Sequence, residues 1–183
     1  FSHHGRRWHY DNILVEPEPL TRPHPPLWLA AGSPDSIRRA AREGYNLLLD
    51  QLASVRQVIE RVALFREECR RIGRPYDPMM VGVTRALQMF FTEEERAAAI
   101  ATRKRVVGVI GDLAKGERPK SIEEDDAPLL GTPAEIIARL RTLQEGGVAN
   151  ILMADPAATP GSLRAFAQHV MPAFEAHRAV AAE

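Results

Sequence analysis

From Pro26 onward the chain alternates short apolar runs with amphipathic helical stretches, and this alternation limits it to very few folds. Residues 27–31 (LWLAA) read as a strand, followed by a helix from Pro34 to about Glu43. Ile37, Ala40 and Ala41 mark the inner face of that helix, and Gly44 is a natural stop. Residues 45–50 (YNLLLD) form the second strand. A long helix then runs from about Ser54 to Ile72, with Val55, Val58, Ile59, Val62, Cys69 and Ile72 on one stripe. Gly73 ends it, and Pro75 and Pro78 mark the loop. Residues 79–91 (MMVGVTRALQMFF) are the third strand, with Met79, Met80 and Met89 expected as core filling.

Thr92 and Glu95 make a capping box that opens a helix to about Ile110. Residues 111–130 are polar, weakly periodic and expected to be a mobile loop, with Glu123, Glu124, Asp125 and Asp126 as its solvated charge cluster. Thr132, Pro133 and Glu135 open the next helix, whose Ile136, Ile137, Leu140 and Leu143 face inward up to Gly146 and Gly147. Residues 149–154 (ANILMA) are the fourth strand, and a last helix is expected from Pro160 to about Val180. Four β-α units with no hairpin signal between them argue for parallel strands covered by helices. They resemble half of an eight-unit barrel, with a doubly wound open sheet as the rival on pattern alone. The Pro-rich, aromatic residues 1–25 read as a loop or small hairpin, so the chain is a single partial-barrel domain over 1–183.

One junction points at a ligand. The first strand stops at Ala30-Ala31-Gly32, Ser33 is placed to cap the next helix, and Pro34 is its first residue, where its missing N–H costs nothing. Backbone N–H groups and the hydroxyls of Ser33 and Ser36 converge there, as a phosphate requires.

The remaining totals exclude more than they assign. Lys plus Arg and Asp plus Glu are both 24, which leaves no basic footprint for nucleic acid or a membrane surface. Every apolar run falls far short of the roughly 20 residues that cross a bilayer. The lone Cys69 sits on an apolar stripe and reads as a buried, inert thiol, in keeping with a reducing cytoplasmic setting. His3, His4 and His9 have no Cys or tight acidic cluster beside them, so they read as a polar loop edge and no metal site is expected. Arg85 lies mid-strand; salt-bridged packing is the expected role and a ligand contact the alternative. Asp155, at the end of the fourth strand, is the candidate for a catalytic role, although a capping or loop-fixing carboxylate is commoner at such a position.

The blocks F-S-H-H-G-R-R-W (from Phe1), R-P-H-P-P-L-W-L-A-A-G-S-P (from Arg22), A-A-R-E-G (from Ala40) and L-L-G-T-P-A-E-I-I-A-R-L (from Leu129) together resemble the bacterial luciferase-like, flavin-dependent monooxygenases. The resemblance covers nearly the whole chain. It implies an α/β fold that is the C-terminal half, (βα)4, of a TIM-type (β/α)8 barrel, with the active site at the C-terminal ends of the strands. It implies reduced FMN, or in some branches the deazaflavin F420, as cofactor, with O2 and a small organic substrate in the FMN enzymes. Ala30, Gly32, Ser33 and Ser36 match the family's flavin phosphate segment. Thr84 and Ala86 stand where the alkanesulfonate branch carries Arg and His, which disfavours a sulfonate substrate. Asp155 replaces that branch's final-strand tyrosine, and the resemblance places the segment of His4 and Trp8 at the substrate entrance, with contact of either residue with substrate as the alternative to a polar loop edge. A half-barrel with raw strand edges is also expected to self-associate, so a homo-oligomer such as a dimer, non-catalytic on its own, is the rival reading.

Overall fold

A computed structural model of the chain describes residues 1–110, 121–122, 124–154 and 159–175. At the start, β1 (His3–His4) and β2 (His9–Tyr10) form an antiparallel hairpin. There follow β3 (Trp28–Ala30), α1 (Pro34–Arg42), β4 (Asn46–Leu49), α2 (Val55–Arg71) and β5 (Val81–Met89). The second part of the chain forms α3 (Glu93–Ile110), β6 (Leu129–Gly131), α4 (Pro133–Glu145), β7 (Asn150–Ala154), α5 (Pro160–His169) and α6 (Pro172–Glu175).

β3, β4, β5 and β7 lie side by side and are all parallel, with Leu48 opposite Gly82 and Gly82 opposite Asn150. Each crossover carries at least one helix, as parallel pairing requires. The pleat then divides the residues between two unlike faces. Leu47, Leu49, Val81 and Val83 turn toward the helices and are fully or almost fully buried against Ile37, Val58, Val62, Phe65 and Leu143. Trp28, Leu48 and Leu152 turn the other way, where all three come within 3.5 Å of the place a Cβ would take on Gly82. No described helix covers this second face, and Trp28 and Leu152 are 41% and 47% exposed on it.

The helices begin where their caps dictate. Ser33, Ser54 and Thr132 each accept from the N3 backbone N–H, and the N3 side chain returns a bond to the cap residue's own N–H. Thr92 and Glu95 exchange the same pair of bonds at α3. Gly44 closes α1 at φ +83°, a left-handed conformation that a Cβ would strain.

Several expectations change in three dimensions. The third strand is shorter than residues 79–91, because Pro78–Met80 form a 3-10 turn that Asp77 caps, and Met79 is consequently 57% exposed rather than in the core. Ile72 is also exposed, since it is the C-cap of α2 and has left the helical stripe, while Phe65 is wholly buried in its place. The last helix does not run unbroken from Pro160. It stops at His169 and restarts as α6, because Pro172 has no N–H to continue the ladder; residues 176–180 of that expectation lie outside the described residues.

The expected loop over 111–130 lies outside the described residues at 111–120 and 123, but its far end is built. Leu129–Gly131 is a strand that pairs with Leu87–Met89, and Leu129 joins Leu87, Ile136, Leu140 and Val170 in a second apolar cluster. Asp125 is not solvated and Asp126 is half-buried. Asp125 is buried against Arg103, and Asp126 accepts from the Val55 N–H.

Candidate flavin phosphate site

The junction after β3 is a closed local circuit. Ala31 N–H donates to the Leu48 carbonyl at 3.1 Å, which extends the pairing one residue past β3. Ser33 Oγ accepts from Ser36 N–H at 3.3 Å, and Ser33 N–H donates to Ser36 Oγ at 3.2 Å. The two hydroxyls lie 2.9 Å apart, and the Ser36 hydroxyl also reaches the Ser33 carbonyl at 2.9 Å. Both serine hydroxyls therefore have acceptors within the cap, and an anion would have to compete for their protons. The Asp35 N–H, in the first turn, has no intrahelical acceptor.

Beside this turn is a hollow of about 320 Å3, lined by Ala30, Ala31, Gly32, Leu48, Leu49, Asp50 and Thr84. It lies at the C-terminal ends of β3 and β4. A Cβ on Gly32 would stand 3.5 Å from Asp50 Oδ2 and 3.7 Å from Arg61 Nη1. That is ordinary contact, so crowding does not require glycine here. The place of that Cβ is thus bordered by Asp50 and Arg61, and the hollow lies beside the N–H and hydroxyl groups of the cap, the kind of donor set a phosphate takes.

Sequence reading passed over two residues here: Asp50, which lines the hollow, and Arg61, which bonds to it. Asp50 Oδ1 accepts from the N–H groups of Leu52 and Ala53 at 2.8 and 3.0 Å, and Oδ2 accepts from Arg61 Nη1 at 2.8 Å. Burial pushes the Asp50 carboxyl up, but the Leu52 N–H, the Arg61 charge and the Ala53 N–H outweigh it and hold its pKa below the usual value. Asp50 was legible as the last residue of a strand at the end where barrel chemistry collects. Arg61 was not, because its approach to Gly32 depends on how α2 packs.

Arg85 overturns the salt-bridged expectation. It is wholly buried on the helix side of β5, and Nε, Nη1 and Nη2 have no hydrogen-bond partner among the described residues. Burial lowers its pKa to about 10, against the opposing pull of Asp126, Asp50 and Asp125. Those carboxylates are engaged elsewhere: Asp126 with the Val55 N–H, Asp50 as above, and Asp125 with Arg103 and the Ala127 N–H.

Asp155 lies outside the described residues. Thr84 faces the hollow, opposite Leu152 on β7. His4 Nε2 is 3.1 Å from Asp11 Oδ1 in an exposed pair, and Trp8 is exposed on the same hairpin. Among the described residues no group of three His, Cys, Asp or Glu side chains could hold a metal. Cys69 is buried, and desolvation raises its pKa, so the thiol stays protonated. No described helix is long and apolar enough to cross a membrane.

A second hollow, of about 380 Å3, opens beyond the end of β5 between α3 and α5, with Leu87, Gln88, Phe91, Glu95, Thr102 and Ser162 in its walls. A wider groove, about 760 Å3, runs between Met79, Leu140, Met153, Phe166 and Phe174, with no ionisable side chain among the described residues that line it.

The chain matches the family model described as "Luciferase-like monooxygenase" over residues 1–150. It is 24% identical over 168 residues to the oxygenase component of a flavin-dependent trigonelline monooxygenase from Acinetobacter baylyi, covering 80% of this chain and 46% of that protein. It is 24% identical over 196 residues to an FMNH2-dependent dimethylsulfone monooxygenase from Pseudomonas putida, covering 94% and 52%. A solved structure of an F420-dependent secondary alcohol dehydrogenase in complex with an F420-acetone adduct superposes with a TM-score of 0.69 at 17% identity, covering 94% of this chain and 55% of that one. The chain spans about half the length of the curated relatives it matches. Its four βα units are the C-terminal half of a TIM-type barrel. The chain belongs to the luciferase-like monooxygenase family.

Proposed function

We propose that this chain forms the phosphate-binding wall of a flavin-dependent monooxygenase that oxidises a small organic substrate with reduced FMN and O2. The hollow beside Gly32 carries the reading: it lies next to the capped start of α1, at the C-terminal ends of the strands. Gly32, Ser33 and Ser36, with Ala30 beside them, would hold the phosphate. A reduced flavin supplies, when bound, the electrons for O2 chemistry. The chain's own contribution is to bind and orient: the Asp35 N–H is free to donate, and the α1 dipole favours an anion by about 0.3–1 kcal/mol. Thr84, on the inward face of β5, would touch the cofactor or the substrate rather than the core.

Titration of FMN into the protein that carries this chain, followed by quenching of Trp28 on the exposed inner face, tests the proposal. Saturable quenching is expected, and absence of binding by both FMN and coenzyme F420 would sink it. An F420-dependent oxidoreductase is the alternative within the same site, and the same titration run with both cofactors separates the two.

The bare face that bears Trp28 and Leu152 supports a second, compatible reading in which the half-barrel pairs with another half, in a homo-oligomer that buries this face. Light scattering would report it; a monomer at all concentrations would refute self-association. The reduced, buried Cys69 suits a cytoplasmic setting for this enzyme.

A further inference from the structure

At the edge of the hollow beside Gly32, with Asp50 in its wall, is an ion pair to which the phosphate reading gives no role. Arg61, on the second turn of α2, is drawn to it by Asp50 at 2.8 Å, and its side chain is only 17% exposed. Asp50 is itself held by the Leu52 and Ala53 N–H groups, so the carboxylate is a fixed anchor rather than a wandering partner. Arg61 Nη1 and Cζ lie 3.7 and 3.8 Å from the place of a Cβ on Gly32. A guanidinium carries five N–H donors in a rigid fork, and the bond to Asp50 uses one.

We infer that Arg61 is a specificity-determining residue of this hollow: clamped by Asp50, it donates to the phosphate of a ligand lying along Gly32 and selects the phosphorylated ligand over its unphosphorylated form. The inference rests on the flavin phosphate reading and adds to it a residue from a different helix. Three physical points carry it. The clamp has already restricted the long side chain, so little further freedom is lost when a ligand arrives. The partly buried position weakens solvent screening of the guanidinium charge. Without Arg61, Asp50 would present an uncompensated carboxylate to the same hollow, and that charge would repel a phosphate.

The test compares FMN with riboflavin, and coenzyme F420 with its unphosphorylated deazaflavin core, by fluorescence titration of the protein and its Arg61→Gln and Arg61→Lys variants. The unsubstituted protein is expected to prefer the phosphorylated member of one pair. Arg61→Gln should cut that preference by about ten- to a hundredfold, the range for a charge-assisted hydrogen bond, while affinity for the unphosphorylated member stays level. Arg61→Lys, which keeps the charge and loses the fork, should fall between the two and also serves if Arg61→Gln fails to fold. Equal weakening of both members, or an unchanged preference in either variant, would show the pair to be purely structural and overturn the inference. No preference in the unsubstituted protein would instead overturn the phosphate reading itself.

Discussion

Arg103 on α3 and Asp125 on the approach to β6 form a buried ion pair, in which Nε and Nη2 of Arg103 both donate to Asp125 Oδ2, at 2.8 and 2.6 Å. Each side chain is 4% exposed. The other oxygen of Asp125 accepts from the Ala127 N–H, which turns the chain into β6. The pair therefore ties a helix to a strand whose own sequence is too short to hold its place.

Breaking this pair from one side leaves an uncompensated buried charge. Asp125→Ala is expected to destabilise the protein by about 3–5 kcal/mol, measured by urea unfolding. The double replacement Arg103→Met with Asp125→Leu should recover most of the loss, because both desolvation costs vanish together. A loss below about 1 kcal/mol in the single variant would show that the pair is solvated in solution.

Arg85 is expected to behave in the opposite way. Its guanidinium is buried with no hydrogen-bond partner among the described residues, and its pKa falls to about 10. The unfolded chain then binds more protons than the folded one only in the alkaline window that opens near pH 10, so stability should rise as pH climbs through it. Below that window the cost is constant and of the order of 3 kcal/mol, at about 1.4 kcal/mol per pKa unit. Arg85→Met should thus raise the melting temperature at neutral pH and flatten the alkaline rise. A drop in melting temperature would mean that attraction to Asp126, Asp50 and Asp125 outweighs the burial cost.

Gly32 and Gly44 should respond differently to alanine. Gly44 sits at φ +83°, so Gly44→Ala should cost about 1–2 kcal/mol in denaturant unfolding and leave flavin binding alone. Gly32 has ordinary backbone geometry and room for a methyl group. Gly32→Ala should leave stability within about 1 kcal/mol while weakening FMN, because the methyl group occupies the space left for the phosphate. Equal FMN affinity before and after Gly32→Ala would move the phosphate elsewhere.

Asp50 supplies an acid-side signature. Its folded pKa lies below the ordinary 3.8, so its stabilising contribution is complete above that value and is lost as pH falls through the lower folded pKa. The Asp50→Asn protein should lack this part of the acid loss when unfolding free energy is followed between about pH 6 and 2. An unaltered acid limb would show that the bonds from Leu52, Ala53 and Arg61 contribute nothing net.

Much of the candidate site could be read along the chain because it is built by neighbours. Ser33 and Ser36 are three residues apart, and the cap they form needs no distant partner. The structure added that the hydroxyls satisfy one another, which spacing alone does not reveal. Asp50 could be placed at a strand end from YNLLLD, but its bond to Arg61 joins positions eleven apart across a turn and depends on the angle at which α2 leaves it.

The amino-acid sequence by itself determined the order of strands and helices, the caps, the apolar stripes and the family. The elements, caps and stripes follow from interactions within a few residues or from periodicities of 2 and 3.6, while the family is carried by matching blocks of residues. Tertiary structure alone decided that Leu129–Gly131 becomes a strand, that Arg85 is buried with no hydrogen-bond partner among the described residues, that Asp125 leaves the solvent and that Asp126 is half-buried. Each of these depends on what lies opposite in space: the free end of β5, the roof of helices over the sheet, or the N-terminus of α2. The physical reason is that pairing, desolvation and charge compensation are set by long-range packing, on which local propensity has no hold.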